Sequence, residues 1–254
     1  MKDKSLIVII TYNSADFIED CLASIAEQDY REWQLVIVDN DSSDDTVKRI
    51  RHLWNQTTTF SAENFRLITL KKNIGFARAV NHAVFSSIRI ASGNKDKKNS
   101  INRGSRPQRA ILSGKDQKRI SGYRTYTDKR GSGPVGDLFD HLILLNPDIY
   151  LLPGALKNLT GTFNRGGGGQ IGACGGLILD YKKDIVQHLA GRMTRNFITY
   201  HDGAGISLSD LDREQDDDSI PGHPGSGGTN REKLVDADYV TGAFFATRFS
   251  LFKA

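Results

Sequence analysis

Three short polar segments, each following an apolar run, hold residue types that bind a phosphorylated nucleoside and its counter-ion. They are Asp39, the tripeptide Asn73-Ile74-Gly75 and Asp148. A carboxylate such as Asp39 accepts hydrogen bonds from a base or a ribose, and the amides at a helix N-terminus bind a diphosphate. Mg²⁺ or Mn²⁺ is typically held by one or two carboxylates together with substrate phosphates. The three segments therefore predict one site, provided that the fold brings them together.

Each segment also has a purely structural interpretation. The polar run 39–43 suits the cap of a following helix, and Asn73-Ile74-Gly75 suits an ordinary turn from a strand to a helix. Asp148 follows Pro147, as a turn residue does. Taken singly, none of the three segments decides between the structural and the functional interpretation.

The elements that must position these residues follow from the hydrophobic pattern. Apolar runs alternate with amphipathic stretches, which predicts a doubly wound α/β sheet whose parallel strands bind ligands at their carboxyl ends. The predicted strands are Ser5–Ile10, Gln34–Val38, Phe65–Leu70, Leu138–Leu145, Ile171–Leu179 and Asp238–Thr247. Four helices are predicted. Ser14 caps the first helix, and Asp44 and Asp45 lie in the first turn of the second. Gly75 precedes the third helix, and Pro153 lies in the first turn of the fourth. Their buried faces are predicted to hold Phe17, Ile18, Cys21, Leu22 and Ile25; Val47, Ile50 and Trp54; and Val80, Ala83, Val84 and Ile88.

Several kinds of site are excluded by the motifs that the sequence lacks. Thr11-Tyr12-Asn13-Ser14 follows the first strand in place of a G-x-G-x-x-G turn, and no phosphate-binding loop with Gly-Lys-Ser/Thr occurs. The sequence has no H-E-x-x-H and no G-x-S-x-G motif. Cys21 and Cys174, both in apolar segments, exclude a disulfide scaffold and a cysteine zinc site. No apolar run is long enough to span a bilayer, so we expect a cytoplasmic, reduced setting.

The positive charge of the sequence is concentrated in one segment. The net charge is +4, whereas residues 94–134 alone hold twelve Lys and Arg against three Asp. This segment interrupts the strand and helix pattern, so we predict a flexible basic insertion rather than a nucleic-acid-binding core. It is either a solvated spacer or a peripheral contact with an anionic membrane. Residues 203–230 form a second polar stretch, which we predict to be a flexible loop.

Four motifs at strand ends, in this order, carry a resemblance to a known family. They are Thr11-Tyr12-Asn13, Val38-Asp39-Asn40-Asp41-Ser42-Ser43-Asp44, Asn73-Ile74-Gly75-Phe76 through Asn81, and Leu144-Leu145-Asn146-Pro147-Asp148. The sequence resembles the family 2 glycosyltransferases of the GT-A fold, in the branch that includes bacterial rhamnosyltransferases. Val240–Phe245 resembles the acceptor-side motif of that branch, and Val186-Gln187-His188 with Gly191 resembles the strand before it. The resemblance covers residues 4–90, 138–201 and 234–253.

The resemblance implies a role for each matching residue. Asp148 is implied as the ligand of Mn²⁺ or Mg²⁺, and Asn146 stands where the family's metal motif has its first Asp. Gly242 and Ala243 are implied on the acceptor side. The residues implied to bind the nucleotide-sugar are Thr11, Tyr12, Asn13, Asp39, Asn40, Asn73, Gly75, Phe76, Asn81 and Asn146.

The implied function is an inverting glycosyltransferase that moves a sugar from a dTDP- or UDP-sugar to a saccharide or lipid-linked acceptor. It implies one GT-A domain over 1–254, with a nucleotide half at 4–90 and a metal and acceptor half at 138–254. In the family an acidic motif with the general base follows the Gly-Ala segment, so we expect the base beyond Ala254 and no catalytic residue before it. The alternative is a nucleotide-sugar-binding domain without activity. A sugar-phosphate nucleotidyltransferase is disfavoured, since it needs a Gly-rich basic loop after the first strand.

Overall fold

The structure is a computed structural model that describes residues 4–91, 138–165, 171–194, 198–210 and 237–253. The basic segment 94–134, the Gly-rich turn at 166–169 and most of the predicted loop 203–230 lie outside these ranges. Among the described residues, no helix has the length and apolar character needed to cross a membrane. The described chain divides into two compact units, Met1–Gly172 with Ala246–Ala254, and Ala173–Phe245.

Unit 1 is built on parallel strands whose side chains are almost continuously apolar. All seven residues of β1 are buried, as expected when helices cover both faces of a parallel sheet. The parallel strands are β1 (Ser5–Thr11), β2 (Trp33–Asp39), β3 (Phe65–Thr69) and β4 (His141–Leu145). A further strand, β10 (Phe244–Arg248), begins in unit 2. The helices are α1 (Ile18–Ala26), α2 (Thr46–Gln56), α3 (Phe76–Ala91) and α4 (Ala155–Arg165), and a 3-10 helix spans Phe249–Lys253. The predicted α/β class with a mostly parallel sheet is confirmed.

The strand order places a topological switch point between β1 and β4. The sheet order is β3-β2-β1-β4-β10, with the short β5 (Ala173–Gly175) at its edge. The chain therefore builds outward from β1 to β3 and then returns to the other side of β1 with β4. Ligands of open α/β sheets bind in the crevice that opens at the carboxyl ends of the strands at such a reversal.

The register brings the predicted site segments to that edge. Thr11 pairs with Asp39, and Asp39 pairs with Thr69, while Ile9 pairs with Leu145 on the other side. Neighbouring strands lie about 4.8 Å apart. The ends of β2 and β4 consequently flank the end of β1.

The predicted buried faces of the helices are largely confirmed. Ile18, Cys21, Leu22 and Ile25 of α1 are buried, as are Val80, Ala83, Val84 and Ile88 of α3. In α2 Ile50 is buried, and Val47 and Trp54 are partly buried.

Three details of the predicted helices were wrong. Phe17 is 55% exposed, because α1 begins one residue after it and Phe17 is not on the buried face. Ser14 does not cap α1 with its side chain; its carbonyl accepts the amides of Phe17 and Ile18 instead. Pro153 lies two residues before α4, since Gly154 intervenes with a φ of +79°.

Unit 2 consists of short antiparallel pairs of strands. β6 (Ile178–Leu179) pairs with β7 (Val186–His188), and β8 (Ala190–Met193) pairs with β9 (Thr199–Asp202). Gly191 lies against Tyr239, where an added Cβ would come within 2.5 Å of the tyrosine carbonyl oxygen. This close approach of two backbones requires glycine at position 191.

Three sequence predictions in this part of the chain were wrong. The strand predicted over Ile171–Leu179 is divided into β5 and β6, because Gly175 and Gly176 pack against Val240 and Phe244 in its middle. The strand predicted over Asp238–Thr247 begins only at Phe244, after a turn at Gly242 and Ala243. The described start of the predicted loop 203–230 is a hydrogen-bonded turn, in which the Val186 amide donates to the Ile206 carbonyl.

Two histidines form a pair inside unit 2. His188 of β7 and His201 of β9 place their Nδ1 atoms 3.0 Å apart, and the rings meet edge to face. Burial, and then the adjacent His201, lower the pKa of His188 below its ordinary value. Because the neutral imidazole is favoured in the folded state, His188 takes up its proton at a higher pH in the unfolded chain.

We expect this pair to make the protein less stable in mild acid. The contribution of His188 to stability is complete above the ordinary histidine pKa of about 6.5, and it is lost as the pH falls through the lowered folded pKa. An NMR titration of the histidine rings should show His188 titrating below the ordinary value, and His201→Gln should raise its pKa. His52→Gln, at an exposed position of α2, is the control. A His188 that titrates at the ordinary value would contradict the expectation.

Candidate functional site

The carboxylate of Asp39 is the centre of the hydrogen bonding at the end of β2. Asp39 is only 3% exposed. Its Oδ1 accepts the hydroxyls of Thr11, at 3.0 Å, and Ser42, at 2.5 Å, and its Oδ2 accepts the Ser42 amide at 3.2 Å. A carboxylate has about four acceptor sites, so these three bonds leave one site on Oδ2 unused. The interpretation of Asp39 as a helix cap was wrong, since no amide of α2 reaches it.

Asn40 links the ends of β2 and β3. Its Nδ2 donates to Asn73 Oδ1 at 2.9 Å, and its Oδ1 accepts the Ile74 amide at 2.9 Å. Asn73 Oδ1 also accepts the Gly75 amide at 2.9 Å, and Gly75 has a φ of +82° that favours glycine. Asn73 thus shapes the turn into α3, as its structural interpretation predicted, and holds that turn beside the end of β2.

A second set of hydrogen bonds joins the loop after β1 to the loop after β2. Asn13, in the left-handed region at a φ of +50°, accepts the amide and the hydroxyl of Ser43 with its Oδ1. The Asn13 amide donates to Ser42 Oγ at 2.9 Å. The two loops are therefore closed against each other, and they form one wall of the crevice.

Asp44 takes the capping role at the start of α2. Its Oδ1 accepts the Thr46 amide at 3.0 Å and the Thr46 hydroxyl at 2.5 Å, and its Oδ2 accepts the Ala15 amide at 3.1 Å. Although partial burial acts to raise it, these hydrogen bonds lower the pKa of Asp44. Asp44 is therefore charged at neutral pH and holds the loop after β1 in place.

Among the exposed residues of the predicted binding set are two aromatic residues and Asn81. Tyr12 is 55% exposed and Phe76 is 50% exposed, and Asn81 is exposed one turn further along α3. Large apolar side chains with this exposure stand out among the buried residues of the strands behind them. Tyr12 and Phe76 offer flat apolar surface at the point where the backbone of the site is fixed.

The segment after β4 carries the candidate metal ligand. Pro147 and Asp148 form a turn, in which the Ile149 amide donates to the Asn146 carbonyl at 3.3 Å. The structural interpretation of Asp148 as a turn residue is thus correct. Its carboxylate is exposed, and no hydrogen bond or ion pair within the described ranges engages it.

Asp148 stands apart from other potential metal ligands. Within the described part of the chain, no three His, Cys, Asp or Glu side chains come together as a metal cluster. A single exposed carboxylate suits Mg²⁺ or Mn²⁺, which keeps several waters and takes its other ligands from substrate phosphates. It does not suit a structural zinc, which needs four protein ligands.

Cys21 lies beneath this turn. Its Sγ is 3.7 Å from the Asn146 carbonyl oxygen, to which the thiol donates. Burial raises the pKa of the Cys21 thiol, and the nearby charge of Asp148 raises it further. The thiol is therefore protonated and acts as a hydrogen-bond donor, not as a nucleophile.

Two polar residues that the sequence analysis missed hold the same segment. Ser24 Oγ accepts the Leu151 amide at 3.0 Å. The Gln28 side chain donates to the Leu152 carbonyl at 3.0 Å and accepts the Leu156 amide at 3.1 Å. Ser24 and Gln28 are both almost fully buried. The available signal was Ser24, a polar residue among the apolar residues on the buried face of α1; no such signal marked Gln28, which follows the helix.

A cavity of about 340 Å³ lies elsewhere in unit 1. It is lined by residues from the C-terminal ends of α1 and α2, among them Ala26, Glu27, Leu53 and Thr57. In a parallel β-α-β unit the helix ends at the amino edge of the sheet. The cavity is thus at the opposite edge from the strand ends, and we do not assign the site to it.

The predicted acceptor residues belong to unit 2. Gly242 is exposed in a turn, and an added Cβ there would meet no atom within 4 Å. The Ala243 amide donates to Thr241 Oγ1 at 3.4 Å. Packing within unit 2 therefore does not explain the glycine, and the acceptor role of the pair stays a prediction.

The matches to known proteins lie in the part of unit 1 that holds the hydrogen bonds of Asp39 and Asn40. Residues 6–87 match the family model for glycosyl transferase family 2. The chain is 35% identical over 83 residues to the putative teichuronic acid biosynthesis glycosyltransferase TuaG of Bacillus subtilis. It is 33% identical over 82 residues to the teichoic acid poly(glycerol phosphate) polymerase of Staphylococcus epidermidis. These alignments cover 32% of this chain, and 31% and 11% of the two relatives.

A solved structure gives a weaker likeness. The mannosyltransferase PcManGT of Pyrobaculum calidifontis, in complex with GDP-Man and Mn²⁺, is 18% identical, with a TM-score of 0.41. The match covers 68% of this chain and 35% of that one.

The family match begins in β1 and ends in α3, so it includes Thr11, Asp39 and Asn73. The α/β sheet with helices on its faces agrees with the fold that the resemblance implied. Over residues 6–87, the sequence is therefore similar to glycosyl transferase family 2.

Proposed function

We propose that the protein is an inverting glycosyltransferase, which transfers a sugar from a nucleoside diphosphate sugar to an acceptor hydroxyl. One observation carries the proposal. The register brings Thr11, Asp39 and Thr69 into one row and places the end of β4 beside it. This adjacency supports a single crevice for the segments proposed to bind the nucleoside and the metal.

The nucleoside is proposed to bind against β1 and β2. The free acceptor site of Asp39 Oδ2 takes a hydrogen bond from the base or the ribose, while Thr11 and Ser42 hold the carboxylate. Because the bound hydroxyls fix the carboxylate before the ligand arrives, little ordering is needed on binding. The turn at Asn73 and Gly75 closes the other side of the pocket.

The diphosphate is proposed to bind near the end of β4. Asp148 would hold a divalent cation, which neutralises the charge that grows on the departing nucleoside diphosphate. The role of Asp148 is to offer one exposed carboxylate oxygen to the ion and leave the remaining positions to phosphate and water. Gly242 and Ala243 are proposed to contact the acceptor.

The acceptor is proposed to be a cell-surface polymer or its lipid-linked precursor. Two relatives are named for teichuronic acid and teichoic acid synthesis, and the chain covers about a third or less of each. The rhamnosyltransferase-like branch, a dTDP- or UDP-sugar donor, and peripheral membrane contact remain predictions. The residues that suggested the branch, 186–188 and 240–245, lie outside the matched range 6–87.

A ligand screen tests the proposal. Thermal unfolding should be measured with UDP-, dTDP- and GDP-sugars, each with and without Mn²⁺. At a ligand concentration of about 100 Kd, binding stabilises the folded state by about 2.7 kcal/mol, so a bound donor raises the Tm. No shift with any donor would overturn the proposal. A shift without sugar transfer to any acceptor would favour the inactive binding domain.

Asp148→Asn should remove the enhancement of nucleoside diphosphate binding by Mn²⁺ and leave the fold intact. The substitution keeps the size of an exposed side chain but replaces an anionic ligand with an amide. Calorimetry of UDP, dTDP and GDP binding with and without Mn²⁺ measures the effect. Asp20→Asn, an exposed carboxylate of α1, is the control. Equal enhancement in Asp148→Asn and the parent would refute the metal assignment.

Asp39→Asn should weaken nucleotide binding with and without metal. A hydrogen bond to a charged group is worth about 1.5–3 kcal/mol, which is roughly one to two decades in affinity. Ser42→Ala is the control, because it removes a hydroxyl bond to Asp39 but leaves the carboxylate. If Ser42→Ala weakens binding as much as Asp39→Asn does, Asp39 only fastens the loop. Calorimetry without metal separates the two cases.

A further inference from the structure

The segment that carries Asp148 runs beside α1 and is attached to it on both sides of the turn. Before the turn, the Cys21 thiol donates to the Asn146 carbonyl. After the turn, Ser24 Oγ accepts the Leu151 amide at 3.0 Å. The turn at Pro147 and Asp148 is thus enclosed between two fixed backbone groups.

Gln28 extends the attachment by one more turn. Its Nε2 donates to the Leu152 carbonyl at 3.0 Å and to the Ser24 carbonyl at 3.2 Å, and its Oε1 accepts the Leu156 amide at 3.1 Å. Gln28 is 1% exposed and Ser24 is fully buried. Both residues therefore bond to backbone groups of the Asp148 segment as well as to the backbone of α1, away from solvent.

The position of the three residues at the end of α1 explains this geometry. Cys21 and Ser24 lie three residues apart, on one face of α1. Gln28 follows two residues after the last helical residue, Ala26, and its side chain bonds back to the Ser24 carbonyl. Asp148 itself contributes no side-chain bond to this attachment.

We propose that Ser24 and Gln28 are positioning residues for the cation and diphosphate site. This role rests on the proposed function. The two side chains hold the backbone of residues 146–156, so that Asp148 is presented at the switch point between β1 and β4. Such outer residues orient the ligands of metal sites, and their loss typically costs about 10–100-fold in metal affinity or activity.

The alternative is that the two residues only stabilise the fold. A buried polar side chain with satisfied hydrogen bonds does so in any part of a protein. A purely structural role predicts that Ser24→Ala lowers stability without changing the response to Mn²⁺. A positioning role predicts that the response to Mn²⁺ falls while the affinity for the nucleotide without metal is kept.

The chain offers a matched control for Ser24. Ser87 is also a buried serine within a helix of unit 1, and its hydroxyl donates to the Ala83 carbonyl at 2.9 Å. The hydroxyl of Ser24 donates to the Cys21 carbonyl at 2.7 Å in the same way. The difference is that Ser24 also accepts the Leu151 amide, so the comparison isolates that one bond.

The experiment measures binding of UDP, dTDP and GDP to the full chain, with and without Mn²⁺. We expect Ser24→Ala to reduce the Mn²⁺ enhancement by about 10-fold or more, with metal-free affinity unchanged. Ser87→Ala should keep the full enhancement. Gln28→Met, which has a similar volume and no amide, should act as Ser24→Ala does. Hydrogen exchange of the Leu151 amide should accelerate in Ser24→Ala and not in Ser87→Ala.

The outcomes separate this inference from the proposed function. Equal Mn²⁺ enhancement in Ser24→Ala and Ser87→Ala, with the parent enhanced, would overturn the positioning role and leave the proposed function standing. A parent that Mn²⁺ does not enhance with any of the three nucleotides would overturn the metal site, and the inference with it. Unchanged exchange of the Leu151 amide in Ser24→Ala would also overturn the positioning role.

Discussion

The candidate site depends on one buried carboxylate at the end of β2. Asp39 is almost fully inaccessible to water, and a charge in that place is stable only when hydrogen bonds compensate for its lost hydration. Thr11 of the neighbouring strand and Ser42 of the following loop supply them. Meeting this requirement fixes the loops after β1 and β2 in one arrangement, so the wall of the crevice is organised before any ligand binds.

The segment after β4 is also held by buried hydrogen bonds, but there the side chains bond to the backbone and the carboxylate of the segment takes no part. There the backbone of residues 146–156 provides the donors and acceptors, and buried side chains of α1 and Gln28 satisfy them. The charged residue of this segment, Asp148, stays exposed and unbonded within the described structure. One carboxylate is therefore used for structure with a single acceptor site left over, and the other makes no hydrogen bond or ion pair within the described residues, as the proposed cation ligand requires.

Much of unit 1 was predictable from the sequence, because its strands and helices are marked by patterns of neighbouring residues. The continuous apolar run of β1 indicated a buried parallel strand, and the spacing of Val80, Ala83 and Ile88 indicated the buried face of α3. Unit 2 was harder to predict. Gly175 and Gly176 divide its first strand through contacts with Val240 and Phe244, and such contacts between distant residues leave no periodic signal.

The sequence by itself determined the α/β class, the order of the polar segments and the resemblance that led to the family. Those properties follow from residue type and spacing, which the chain carries without folding. Only the tertiary structure decided how the segments are used: that Asp39 bonds to Thr11 and Ser42 instead of capping α2, and that Ser24 and Gln28 hold the Asp148 segment. The physical reason is that a buried polar group is satisfied by whichever partner the packing brings near, and that partner lies from three to more than a hundred residues away.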